Sequence, residues 1–185
     1  QRASNVIGLF GYAYESARTA LVLDAIAALR TRHHDVRLLL LGSPGSESDA
    51  GERWSREARR RGISEQLAFT NRLPAQELSD ALARCGALIF ADHPGPTSRK
   101  GTLAAALQSG APVIATDGPR TWQALRAEDA VRVVAPSAEA LADGLAGILA
   151  EPRKGAALGR RGQAFATAHM SVERTAEVLA DLLRG

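Results

Sequence analysis

The chain has 185 residues, 45% of them hydrophobic and 4% aromatic, with a formal net charge of +3. That length suits one domain, residues 1–185, with a core of Leu, Val, Ile and Ala, and the single cysteine, Cys85, excludes an internal disulfide and fits a reducing compartment. No apolar run is long enough to span a bilayer, no secretory leader is expected at the start, and no Cys/His cluster has metal-ligand spacing.

The elements alternate in kind. Residues 6–10 form a first apolar run, followed by Gly11, a loop and a helix over 17–30, with Leu21, Leu23, Ile26 and Leu29 on its buried side. A second strand, 36–41, ends in Gly42-Ser43-Pro44-Gly45. A charged helix over 49–61 follows, closed by Gly62. Its basic residues alternate with Glu52 and Glu57 at helical spacing, which reads as a solvated face and not as a nucleic-acid stripe. A third strand covers 67–70, and Pro74 opens a helix to about residue 84. Then come a strand at 87–91, a helix at 101–109, a strand at 112–115, a short helix after Arg120 and a strand at 131–134. Ser137 caps a helix to residue 150. The tail, 152–184, reads as helical with a break near 169–171.

Strands that are nearly all apolar, each followed by a helix, imply a parallel sheet covered on both faces. The expected fold is therefore α/β, a doubly wound, Rossmann-like sheet of about six strands. In such a sheet ligands bind at the carboxyl ends of the strands. One of those loops stands out. Pro94, Gly95 and Pro96 break regular structure, and Thr97, Ser98, Arg99 and Lys100 then lead into Gly101, Thr102 and an Ala/Leu-rich helix. Cations beside the unpaired amides of a helix N-terminus suit an anion. Thr102 equally suits a helix cap. Gly11 has two readings, a close approach for phosphate or a plain strand-to-loop glycine. Asp92 and His93 adjoin the same loop. No Ser or Cys is spaced to join them as a nucleophile, so His93 reads as a cleft-lining residue. Tyr12 and Tyr14 suit either packing or contact with a ligand, and Trp54 and Trp122 read as packing anchors.

With those residues in view, the chain resembles the C-terminal, donor-binding lobe of family 4 glycosyltransferases of the GT-B type. Val6-Ile7-Gly8-Leu9-Phe10-Gly11 is similar to the lobe's opening strand and glycine. Leu38-Leu39-Leu40-Leu41-Gly42 is similar to its second strand, and Phe69-Thr70-Asn71-Arg72-Leu73-Pro74 to its third. The segment from Leu103 to Thr116 matches best, and Ser171-Val172-Glu173-Arg174 is similar to the closing Ser-Trp-Glu-Arg. The resemblance implies transfer of a sugar, with retained configuration, from a UDP- or GDP-sugar to an acceptor hydroxyl, without a metal or other cofactor. It places the donor against Gly11, Tyr12, Arg18, Gly42, Ser43, Asn71 and Arg72 and against residues 97–102. It leaves the catalytic residue unassigned.

The same resemblance exposes departures. The family's two glutamates, with seven residues between them, fall on Thr97 and Ala105. The glycine of the third-strand segment is Asn71. Arg18 can replace the first loop's lysine only if that loop is one residue longer. Other expectations concern the whole protein: a missing N-terminal acceptor lobe, no transfer by this chain alone, and a cytoplasmic location, at most peripheral at the inner membrane. The last helix, 171–184, is expected to cross back to that lobe. The rival readings are a scaffold domain that lost catalysis with the two glutamates and a nucleotide-sugar epimerase of the same architecture.

Overall fold

The computed structural model describes residues 5–32 and 34–171. Six strands, β1 (Val6–Phe10), β2 (Arg37–Leu41), β3 (Leu67–Asn71), β4 (Ala87–Phe90), β5 (Val113–Thr116) and β6 (Arg132–Val134), pair in parallel in the order β3-β2-β1-β4-β5-β6. This is the strand order of the doubly wound dinucleotide-binding fold, whose switch point lies between β1 and β4. The helices are α1 (Ser16–Thr31), α2 (Asp49–Arg60), α3 (Ala75–Ala83), α4 (Gly101–Gln108), α5 (Gln123–Ala127), α6 (Ala138–Ala150) and α7 (Pro152–His169). They fall where the apolar runs place them, with ends shifted by a residue or so. A 3-10 turn, Ser64–Gln66, was not expected. The break at 169–171 is present, because α7 ends at His169. The expected helix beyond it lies outside the described residues.

Side chains alternate along each strand, so the sheet builds two cores. Ile7, Leu9, Leu38, Leu40 and Ile114 pack with Leu23, Ile26 and Leu29 of α1 and with Leu141 and Leu145 of α6. On the other face Leu41, Leu88, Phe90 and Val113 pack with Leu82, Leu103, Leu107, Leu125 and Phe165. Several close contacts depend on a missing Cβ, two of them beside the elements of the switch point. At Gly8 in β1 it would fall 2.6 Å from Cys85 Sγ, and at Gly159 in α7 it would fall 2.0 Å from Gly110 O. The second contact lets α7 lie directly on the end of α4, the helix that carries the basic loop. Cys85 is buried with its pKa pushed up to about 12 by burial, so it is a packing residue with almost no thiolate at neutral pH.

Candidate functional site

At the switch point the chain leaves β1 through Gly11, whose φ is +75°, a conformation that favours glycine. A Cβ there would fall 2.6 Å from Thr102 Cγ2, so the loop after β1 rests on the first turn of α4. Tyr12 then turns inward and is fully buried. Its hydroxyl donates to Gly42 O at 3.2 Å and accepts from Gly45 N–H at 2.7 Å, while Trp54 Nε1 donates to Tyr12 O at 2.9 Å. Tyr14 comes back to the edge of the sheet. Its hydroxyl accepts from Ala91 N–H at 3.3 Å, and Arg53 Nη1 donates to its carbonyl at 2.9 Å.

The opposite wall is the loop between β4 and α4. It is pinned to the loop after β5, because Arg120 N–H donates to Pro94 O and Trp122 N–H to Pro96 O, both at 2.8 Å. That neighbouring loop is itself tied by Thr121 Oγ1, which donates to Asp117 Oδ1 at 2.7 Å. The Thr121 and Gly118 hydrogen bonds, together with Arg126, hold the Asp117 carboxyl below its ordinary pKa. Lys100 then occupies the N-cap of α4 with no side-chain cap bond. Leu103 and Ala104 N–H donate to Lys100 O, while the amides of Gly101 and Thr102 have no hydrogen-bond partner among the described residues.

Between these walls lies an open cleft of about 620 Å³. Phe10, Gly11, Ala13 and Tyr14 line one side; Phe90, Asp92, Arg99, Lys100, Gly101 and Thr102 line the other. Lys100 Nζ sits 2.5 Å from Asp92 Oδ2, and Asp92 Oδ1 accepts from His93 N–H at 3.0 Å. Arg99 is exposed and has no ion pair among the described residues. Burial pushes the Tyr14 phenol up to about 12, an effect the Ala91 amide opposes and the Asp92 charge reinforces. The cleft thus holds two cations, one carboxylate, the Tyr14 and Thr102 hydroxyls and a helix N-terminus whose first amides are unspent among the described residues. That balance favours an anion.

Residues 4–151 match the family model described as glycosyl transferases group 1. The chain belongs to that family. No curated protein matches it in sequence. Its fold is similar to that of HepE from Anabaena, solved with UDP-glucose, at a TM-score of 0.79 and 18% identity over 98% of this chain and 49% of that one. Sucrose-phosphate synthase from Thermosynechococcus elongatus gives 0.72 and 22% over 100% and 46%. The C-terminal domain of LpcC, a group 1 family protein from Francisella tularensis, gives 0.72 and 19% over 90% and 86%. The chain therefore spans about half the length of HepE and of the synthase, and most of the LpcC domain.

Within this group 1 glycosyl transferase fold, the structure brings Gly11, Arg99, Lys100, Gly101 and Thr102 into one cleft. Thr97 and Ser98 belong to the same loop without lining it; Thr97 O accepts from Lys100 N–H at 3.4 Å. Gly42, Ser43, Asn71 and Arg72 gather instead at the ends of β2 and β3. Asn71 has φ +56°, which explains how it stands where the family has glycine, since asparagine tolerates that conformation. Arg18 lies in the first turn of α1, half-buried and near enough for its charge to act on Tyr14, but it does not line the cleft.

Three readings change. The Tyr12 side chain has no exposed surface and is a core group, so its ring is not available to a ligand. Thr102 does not cap α4, because Lys100 holds that position. His93 is exposed and does not line the cleft, which Asp92 does. Sequence reasoning left Tyr14 open between packing and ligand contact and read Asp92 only through its neighbour. The available signal was position: Asp92 comes just after β4 and Tyr14 just before α1, both at the switch point.

Proposed function

We propose that this chain is the donor-binding lobe of a glycosyltransferase and that the cleft holds the diphosphate of a nucleotide-sugar. One observation carries the reading: Gly11, the amides of Gly101 and Thr102 and the Arg99 guanidinium, none of the last three paired among the described residues, line one space open to solvent. The UDP-glucose bound by HepE, whose fold this chain shares, supports a nucleotide-sugar as the ligand.

The reaction breaks the bond between the sugar's anomeric carbon and the diphosphate oxygen. A new bond forms to an acceptor hydroxyl oxygen with retention of configuration, and the acceptor's proton is released. Negative charge grows on the departing diphosphate. Arg99, Lys100 and the α4 N-terminus stabilise it there more than in the intact donor, which is the condition for catalysis. Lys100 must first exchange Asp92 for phosphate. On this reading Gly42, Ser43, Asn71 and Arg72, at the ends of β2 and β3, contact the base, and Arg18 adds positive charge beside Tyr14. The acceptor site belongs to an N-terminal lobe outside this chain, so the chain alone binds donor and transfers nothing.

Calorimetric titration with UDP and GDP tests this. Saturable binding of one of them in the millimolar range or tighter is expected. No heat from either at millimolar concentration would leave the second reading, a scaffold without donor binding, which the uncharged Thr97 and Ala105 positions favour.

A further inference from the structure

A nucleotide-sugar presents two chemistries: a diphosphate that only accepts hydrogen bonds, and a ring of neutral hydroxyls that donate and accept. Arg99, Lys100 and the first amides of α4 answer the anion. Thr97 and Ala105, where the resemblance places the family's two glutamates, offer no carboxylate. Two other polar side chains face the same space from the ends of β1 and β4.

Tyr14 is held at both ends. Its N–H donates to Tyr12 O at 2.7 Å, and its hydroxyl accepts from Ala91 N–H. The hydroxyl proton has no acceptor among the described residues, so it is a placed donor. With the phenol pushed up to about 12, the proton stays on through the whole neutral range. Asp92 is the complement. Its carboxylate offers about four lone-pair positions; one oxygen takes His93 N–H and the other Lys100. Phe10, half-buried, lines the same cleft and supplies an apolar surface for the C–H face of a sugar ring.

We infer that Tyr14 and Asp92 form the carbohydrate end of the cleft, with Tyr14 donating to, and Asp92 accepting from, hydroxyls of the donor sugar. This rests on the reading of the cleft as a nucleotide-sugar site. It assigns sugar recognition to the β1 and β4 ends, where the structure supplies one donor and one acceptor in place of two acids. The rival role for Asp92 is that of a counter-ion to Lys100 only, and the two roles differ in what the sugar adds to binding.

The test uses the 185-residue chain, with UDP and GDP set against UDP-glucose and GDP-mannose. For Tyr14→Phe, the affinity ratio of nucleotide-sugar to diphosphate is expected to fall by about three- to tenfold, the weight of one or so hydrogen bonds. Asp92→Asn should tighten the bare diphosphate, because Lys100 is released; since UDP carries more negative charge than UDP-glucose, this variant is judged on nucleotide-sugar affinity itself, which falls if Asp92 holds the sugar and rises if Asp92 is a counter-ion only. The Asn side chain keeps an oxygen for His93 N–H, so this variant carries the test alone if Tyr14→Phe does not fold. An unchanged ratio for Tyr14→Phe, or a nucleotide-sugar affinity that does not fall for Asp92→Asn, would overturn the inference, as would a wild-type chain that binds a diphosphate and neither nucleotide-sugar. If neither UDP nor GDP binds wild type, the parent reading falls with it, which keeps the two failures apart.

Discussion

Two glycine loops at the carboxyl edge of this sheet begin alike and end differently. Gly11 leaves β1 at φ +75° and Gly42 leaves β2 at φ +78°. After β2 the loop uses up its own donors: Gly42 N–H goes to Thr70 Oγ1 at 2.9 Å, Gly45 N–H to Tyr12 OH, and Ser46 N–H to Asn71 Oδ1 at 2.8 Å. Across from Gly11, the amides of Gly101 and Thr102 and the Arg99 guanidinium are unspent among the described residues. The loop after β2 therefore satisfies its own amides, whereas the amides at the start of α4 stay open to solvent and, on the proposed reading, to a ligand. Gly and Tyr serve at both places.

The comparison can be broken by separating binding from stability. Replacing both Arg99 and Lys100 with Ala should have the largest effect, a loss of about a hundredfold in UDP affinity if each charge-assisted bond is worth roughly tenfold. The melting temperature should hold, since neither side chain packs in the core; unchanged UDP affinity would show that the cleft is not the anion site. Tyr12→Phe should do the reverse. It strips Gly42 O and Gly45 N–H of their partner and costs about 1–3 kcal/mol of stability by denaturant unfolding, while affinity for pyrophosphate, which has no base, moves less than about twofold. Gly11→Ala should cost about 1–2 kcal/mol from its left-handed backbone and from the contact with Thr102 Cγ2. Thr102→Ser added to it should recover part of that cost; no recovery would mean that the two walls are not in contact.

The smallest effect is spectroscopic. Burial raises both Tyr12 and Tyr14 above the ordinary 10.0, Tyr14 to about 12. A folded-state pKa above the unfolded one stabilises the fold fully below pH 10 and loses that contribution as pH climbs toward 12. Tyrosinate absorbance should therefore stay low at pH 10 in the folded chain and rise there in denaturant. Equal titration in both states would place Tyr14 in solvent.

Much of the fold was legible because strands buried on both faces carry apolar runs, as in Leu38–Leu41, with helix signals such as Ser137 and Gly62 between them. The basic loop was legible for a local reason: Arg99 and Lys100 directly precede a helix start. What stayed hidden depends on partners distant in sequence. Tyr12 and Tyr14 are two residues apart and look interchangeable, yet Trp54 and Gly45 hold the first in the core while Ala91 draws the second to the cleft. His93 and Asp92 are adjacent, but only Asp92 meets Lys100. The glycines of α7 also gave no sequence signal, because Gly159 matters only through its contact with Gly110.

The most direct test is a titration with inorganic pyrophosphate, followed at individual backbone amides by NMR. The account predicts that Gly11, Gly101 and Thr102 shift with a common affinity while Gly42, Gly45 and Ser46 stay in place. Shifts confined to the loop after β2, with Gly101 and Thr102 unmoved at saturation, would contradict it.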